Sequence, residues 1–320
     1  MPYPLRFQPI LRRYLWGGRK LERLSKALGK GDDFAESWEI CDHGDDQSVV
    51  LAGEWQGHTL GELIRANGRE LLGRHHPQSR FPLLFKFLDA NRRLSVQVHP
   101  DDAEAARLDP PDLGKTEAWV VLEAEPGSRL YAGLKRGFDR AALEREVRRG
   151  TCELCLHTIE PAPGDCVFIP AGMVHAIGEG LLIAEIQQAS DTTFRLFDWN
   201  RTGPDGQPRQ LHIEQALEAI DFRLGPGTIQ TPHETTDPGR TRLVACDKFV
   251  LDRLHTTEPA TIGGDDRFHI LAVLGGEVHL DGDPIDEPLT RGGTALIPAA
   301  AGALEIRPQG ECVTLDAYLP

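Results

Sequence analysis

The sequence predicts a mainly β protein of the sandwich or jelly-roll kind, built as two related units with a few short helices. Three observations predict it. Short runs rich in Val, Ile, Leu and Phe, punctuated by Gly, Pro, Asp and Asn, dominate 81–133, 165–199 and 243–319, the pattern of antiparallel strands joined by turns. GDCVFIPAGMVHAI (164–177) is echoed by GGTALIPAAAGALEI (292–306): each has a glycine turn, an apolar strand, an Ile-Pro-Ala corner and a second strand. EAWVVLEAEPGSRLYAG (117–133) loosely matches HILAVLGGEVHLDG (269–282), and helical spacing is confined to 59–72, 138–149 and 212–220.

Along the chain, MPYPLRFQPI lacks the features of a signal peptide, and no later run approaches the ~20 apolar residues of a membrane span, so the protein reads as cytoplasmic. TLGELIRANGRELL (59–72) is the first helix. FPLLFKFLDANRRLSVQV (81–98) reads as a hairpin whose two-residue turn at Ala90-Asn91 would pair Lys86 with Ser95. In LSVQVHPDD, Ser95, Gln97 and His99 share one strand face; Pro100 ends the strand, and Asp101 and Asp102 suit a turn or helix cap. FDRAALEREVRR (138–149) is a helix entered at Phe138-Asp139 and closed by Gly150. CELC (152–155) has no second cysteine pair nearby and reads as ordinary thiols. LLIAEIQQASDTTFRLFDWNR (181–201) is a strand with Glu185 and Gln187 on one face, a turn near Ala189-Ser190-Asp191, and a return that could aim Arg195 back at them. GPGTIQTPHETTDPGR (225–240) is the linker candidate, dividing the chain into a catalytic domain, 1–224, and a second β domain, 225–320.

Composition narrows the function. With 320 residues, 49 acidic against 35 basic side chains give a net charge of -14, which repels nucleic acid and anionic membranes. A small anionic substrate would need a local basic site, and nothing marks an obligate protein partner. GKT at 114–116 follows Asp109 and a Pro110-Pro111 step where a phosphate loop needs its first glycine, and GEGLLI (178–183) ends in Ile, so neither nucleotide motif holds.

What remains is a constellation. Gln97, His99, Glu117 and His175 offer an amide, two imidazoles and a carboxylate that could surround a divalent cation; nitrogen and oxygen donors without thiolate suit zinc, iron, manganese, cobalt or nickel. Where the first repeat has His175 the second has Ala303, so the second unit reads as structural. Lys86 in an apolar strand, Lys115 two residues before Glu117, Glu185 and Arg195 supply the charges, Arg195 either gripping a phosphate or oxyanion or pairing with Glu185 or Asp198.

LWGG (15–18), ESWEI (36–40), FPLLFKFLDANRRLSVQVHPDD (81–102), GKTEAW (114–119), IPAGMVHAIG (169–178) and EIQQASDTTFRLFDWNR (185–201) resemble the type I mannose-6-phosphate isomerases, zinc-dependent cupin enzymes, in their shorter bacterial form. The resemblance covers nearly all of the first 200 residues. It implies two cupin-like units, the second degenerate, and one zinc ion per chain held by Gln97, His99, Glu117 and His175. It implies interconversion of mannose 6-phosphate and fructose 6-phosphate through an enediol, with Lys86, Lys115, Glu185 and Arg195 catalytic and Ser95, Lys115, Glu185 and Arg195 binding the sugar phosphate. The helical insertion of larger members has no room between Glu117 and His175. Two other readings compete: a non-catalytic metal-containing cupin that binds a sugar phosphate, and an iron oxygenase, which the extra Gln and the basic residues disfavour.

Overall fold

A computed structural model describes residues 2–203 and 206–320. The first unit contains β1 (Ile10–Gly18), β2 (Phe34–Ile40), the short ladder β3 (Asp42–His43) and β4 (Asp46–Gln47), α1 (Leu60–Leu72), β5 (Leu83–Ala90), β6 (Val96–Val98), α2 (Asp102–Ala105) and β7 (Glu117–Ala124). It continues through β8 (Leu130–Leu134), α3 (Arg140–Arg149), β9 (Leu156–Ile159), β10 (Cys166–Ile169), β11 (His175–Ile177), β12 (Leu181–Gln188), β13 (Phe194–Phe197) and α4 (Ile213–Ala219). The second unit has β14 (His233–Glu234), β15 (Arg240–Ala245), β16 (Val250–Thr256), β17 (Ala260–Gly263), β18 (His269–Gly275), β19 (Val278–Leu280), β20 (Thr294–Ile297), β21 (Ala303–Pro308) and β22 (Cys312–Tyr318). Strands outweigh helices throughout, as the apolar runs predict.

Each unit is a sandwich of two antiparallel sheets, and the repeat seen in the sequence is a repeat of topology. The larger sheets run β1-β2-β5-β12-β7-β10 and β14-β15-β16-β22-β18-β20; the smaller ones run β13-β6-β11-β8-β9 and β17-β21-β19. His175 on β11 pairs with Gln97 on β6, and Ala303 on β21 pairs with Gly263 on β17. The substitution of Ala303 for His175 therefore falls at equivalent places.

The helices start where short polar side chains can cap them. Thr59 and Glu62 form a reciprocal capping box at α1, Asp101 and Glu104 do so at α2, and Asp139 accepts from the Ala142 amide at α3. Gly150, at φ 74°, closes α3 in the left-handed conformation that glycine tolerates. Gly17 has another reason to be glycine: a Cβ there would lie 2.5 Å from the Phe34 backbone, so β1 could not cross so close to β2.

Two expectations need correction. Residues 83–98 are not a hairpin, because β5 belongs to the larger sheet and β6 to the smaller one. Lys86 pairs with Glu185 on β12 and Trp38 on β2, not with Ser95. The chain instead crosses between sheets after Ala90, since β5 is buried on both faces and already has neighbours on both edges. Likewise the return after Gln188 leads to β13 in the smaller sheet, where Arg195 pairs with Gln97. The 225–240 segment also packs back on the first unit, with the Gly227 amide donating to Ala132 O and that of Gln230 to Cys166 O.

The two units lie back to back. On β5, β7 and β12, alternate residues such as Phe85, Phe87, Ala118, Val120, Ala184 and Ile186 join one core with Phe249, Leu251, Phe268, Ile270, Leu315 and Ala317 of β16, β18, β22 and their flanks. The Phe81 and Phe268 rings meet at 4.7 Å, and Leu5 bridges to Leu296 of β20. With this face committed to the partner unit, the opposite face of each large sheet looks into its own sandwich.

Candidate active site

That inner face of the first unit carries Lys86 on β5, Glu117 and Trp119 on β7, and Glu185 on β12. The register explains their meeting: Glu185 lies opposite Lys86 on one side and opposite Trp119 on the other. The smaller sheet closes from the other side with Ser95, Gln97 and Arg195. Together Lys86, Ser95, Gln97, Lys115, Glu117, Glu185 and Arg195 line a cavity of about 260 Å³.

At the edge of this cavity His99, Glu117 and His175 converge, each buried, with one donor atom apiece all within 4.8 Å of one another. His99 Nε2 lies 3.1 Å from Glu117 Oε1, and His175 Nε2 lies 3.7 Å from Glu117 Oε2. The two rings are held by their far nitrogens. His99 Nδ1 hydrogen-bonds Thr192 O at 3.0 Å and His175 Nδ1 hydrogen-bonds Met173 O at 2.9 Å; a carbonyl can only accept, so each Nδ1 carries the proton and each Nε2 presents a lone pair to the centre. Burial, reinforced at His99 by the Lys115 cation, pushes His99 down to about 3 and lowers His175, keeping both rings neutral. Although burial opposes it, the Lys115 ammonium holds Glu117 well below the usual carboxylate range.

This donor set attracts positive charge: the Lys115 ammonium sits 2.9 Å from Glu117 Oε1 and 3.3 Å from His99 Nε2. Lys115 makes these contacts although β7 starts only at Glu117. Gln97 joins the same centre, its Nε2 3.3 Å from His175 Nε2 while its Oε1 accepts from Ser95 Oγ at 3.2 Å. Two neutral imidazoles, one carboxylate and an amide fit a divalent cation of the zinc type.

Lys86 stands between two carboxylates, 3.3 Å from Glu185 Oε1 and 3.5 Å from Glu36 Oε1. Burial disfavours its charge, but Glu185 and Glu36 outweigh that and raise its proton affinity. Burial, with the Glu117 charge behind it, pushes Glu185 up to about 8 against the pull of Lys86. Glu185 Oε1 has no hydrogen-bond partner. Arg195 pairs with neither Glu185 nor Asp198: its Nη1 donates to Gln210 O at 2.9 Å and its buried Nε has no partner, while Asp198 is taken by Arg201 and Arg209. Arg195 is thus a cation with an unfilled donor beside the cavity.

Several wall residues escape the sequence reading. Tyr14, Trp16, Glu36, Trp119 and Asp191 also line the cavity. Glu36 alternates with Trp38 in ESWEI and accepts from its indole at 2.6 Å; a carboxylate in an apolar strand is the signal that could have found it. Behind the wall, Asp112 accepts from Ser190 Oγ and Thr192 Oγ1 at 2.7 and 2.8 Å, fixing the loop whose carbonyl orients His99. Asp102 similarly takes the Gly114 amide and Gln188 Nε2, both at 2.8 Å.

Residues 5–116 match the model of the family described as phosphomannose isomerase type I, catalytic domain. Over 97% of this chain and 98% of the relative, the sequence is 33% identical to the mannose-6-phosphate isomerase ManA of Bacillus subtilis. It is 39% identical to a mannose-6-phosphate isomerase of Streptococcus mutans over 69% of this chain and 68% of that protein. The crystal structure of the mannose 6-phosphate isomerase from Bacillus subtilis matches with a TM-score of 0.90 at 29% identity, covering 99% of this chain and all of the other.

Proposed function

The chain belongs to the type I phosphomannose isomerases, and from that premise we propose that it interconverts mannose 6-phosphate and fructose 6-phosphate in the first-unit cavity, with one zinc ion held by Gln97, His99, Glu117 and His175. The observation that carries this reading is the convergence of three buried donors within 4.8 Å beside a cavity that also presents Lys86, Glu185 and Arg195. Gln97 would supply its amide oxygen once the two ends of that amide exchange places. Zinc, when bound, would polarise the oxygens on the two reacting sugar carbons.

The rest falls to the chain's own side chains. Aldose–ketose isomerisation moves a proton between C1 and C2 and needs a group that can both take and return it. Glu185 Oε1, ion-paired with the Lys86 ammonium but without a hydrogen bond, suits that exchange because its proton affinity is raised toward neutrality. Lys115, buried against Glu117 and lining the cavity, would neutralise charge developing on the sugar oxygens. Arg195, with Ser95 on the same side of the cavity, would hold the phosphate and so fix which carbons face Glu185.

A coupled assay of fructose 6-phosphate formation from mannose 6-phosphate, run with metal analysis of the same sample, tests the reading. Activity should fall with metal content in chelator and return on adding zinc. Undiminished turnover by metal-free protein would remove the zinc role, and no turnover at stoichiometric zinc would turn the reading to a binding protein. The division at residues 224 and 225 and a cytoplasmic site of action belong to the same proposal; no helix among the described residues is long and apolar enough to cross a membrane.

A further inference from the structure

The second unit keeps ionisable side chains at the places where the first has its cavity. Asp316 on β22 lies between Asp252 on β16 and Leu271 on β18, as Glu185 lies between Lys86 and Trp119. Stepping back two residues from Leu271 and from Trp119 brings His269 onto Glu117. Gly263 corresponds to Gln97 through its pairing with Ala303, so two residues on Asp265 corresponds to His99. The 3.1 Å contact of His269 Nε2 with Asp265 then repeats the 3.1 Å contact of Glu117 with His99. Two of the four metal donors have become Gly263 and Ala303, yet the rest of the constellation is ionisable still.

These side chains surround a cavity of about 660 Å³, within the roughly 300–1,000 Å³ of small-molecule pockets. Arg240 Nη1 reaches Asp316 at 2.6 Å, Arg242 Nε reaches Asp252 at 2.5 Å, Tyr318 Oη donates to Asp252 at 2.9 Å, and His269 Nδ1 meets Asp316 at 2.8 Å. Folding alone does not call for this. A well-packed apolar set usually stabilises as much as a buried ionic network or more, and the other half of the same sandwich is filled with Leu254, Leu271, Val273, Ile297 and Ile306.

We propose that this cavity is a second binding site, for a neutral polyhydroxylated molecule of monosaccharide size. Charge decides the class. Both guanidinium groups are already matched by carboxylates, so an anion finds no free cation. Every oxygen of Asp252 and Asp316 already accepts a hydrogen bond, so a metal ion or an amine finds no free carboxylate in the buried part of the cavity, and the lining Asp237 and Glu258 are solvent-exposed. A hydroxyl, donor and acceptor at once, can add to paired groups without displacing them. The His269 and Tyr318 rings, 4.7 Å apart and tilted to each other, add aromatic surface to its wall.

Saturation-transfer NMR with methyl α-mannoside and methyl α-glucoside, neutral sugars that cannot isomerise, tests this on the metal-loaded full chain. Mannose 6-phosphate in excess keeps the first cavity filled. Transfer to at least one sugar should persist under that excess and fall several-fold in Thr261→Trp, which fills the mouth from an exposed position, and in Arg242→Gln, with isomerase activity unchanged in both. No transfer to either sugar, transfer abolished by mannose 6-phosphate, or transfer undiminished in the folded Thr261→Trp protein would each overturn the proposal.

Discussion

At the scale of the residue, the first cavity works by leaving selected atoms unsatisfied. Arg195 Nε and Glu185 Oε1 are buried without hydrogen bonds, which ordinary folding avoids. Arg195→Lys should raise KM for mannose 6-phosphate by roughly ten- to a hundredfold, the worth of a charge-assisted contact, with a smaller change in kcat; steady-state kinetics checks the split. Lys86→Met should lower kcat by about a hundredfold or more, the usual scale of lost proton-transfer assistance, with KM less affected. Asp112→Ala should weaken zinc binding by about ten- to a hundredfold, as loss of an outer hydrogen-bond partner does, because Thr192 would no longer be pinned for His99; a competitive chelator titration measures it. Candidate donors were legible in the sequence because an imidazole, amide or carboxylate in a strand of apolar neighbours stands out. Asp112 and Asp191 were not, since a carboxylate in a polar loop shows its target only when the chain has folded over it.

At the scale of the element, helices were legible through their ends and strands through their apolar runs, while sheet membership was not. Asp139 and Gly150 mark α3 in the letters themselves, and Asp139→Ala should cost about 1 kcal/mol, the worth of an N-cap, read from the denaturation midpoint. The 83–98 segment has the look of a hairpin because local turn rules favour one, but β5 pairs with β2 and β12, a choice made by residues some 50 and 100 positions away. The second unit's β18 and β22 carry a pH signature. Burial disfavours the His269 cation, yet Asp316 and Asp265 push His269 up to about 9, with Arg240 and Tyr318 packed alongside. A pKa raised by folding stabilises the fold fully below the unfolded value near 6.5 and loses that contribution as pH climbs through about 9. Thermal unfolding should therefore shift to lower temperature between about pH 7 and pH 10, and His269→Gln should flatten the dependence.

At the scale of the whole molecule, the two sandwiches share a core through their large sheets. Phe87, fully buried there, should cost about 3–5 kcal/mol when cut to alanine. The midpoint should drop for both units together, followed by tryptophan fluorescence for the first unit, which holds all five tryptophans, and by backbone exchange for the second. Two separate transitions would contradict a shared core. That the letters repeat was legible; that the halves join by their outer faces was not, because a strand covered on both sides shows no alternation to say which partner covers which face. This arrangement frees one surface of each sheet from the other. Outward-facing residues answer to a neighbour and are held in place by it, whereas the inward ones are bound only by what each chamber holds, so that two bowls of one plan can share a rim and differ in their contents.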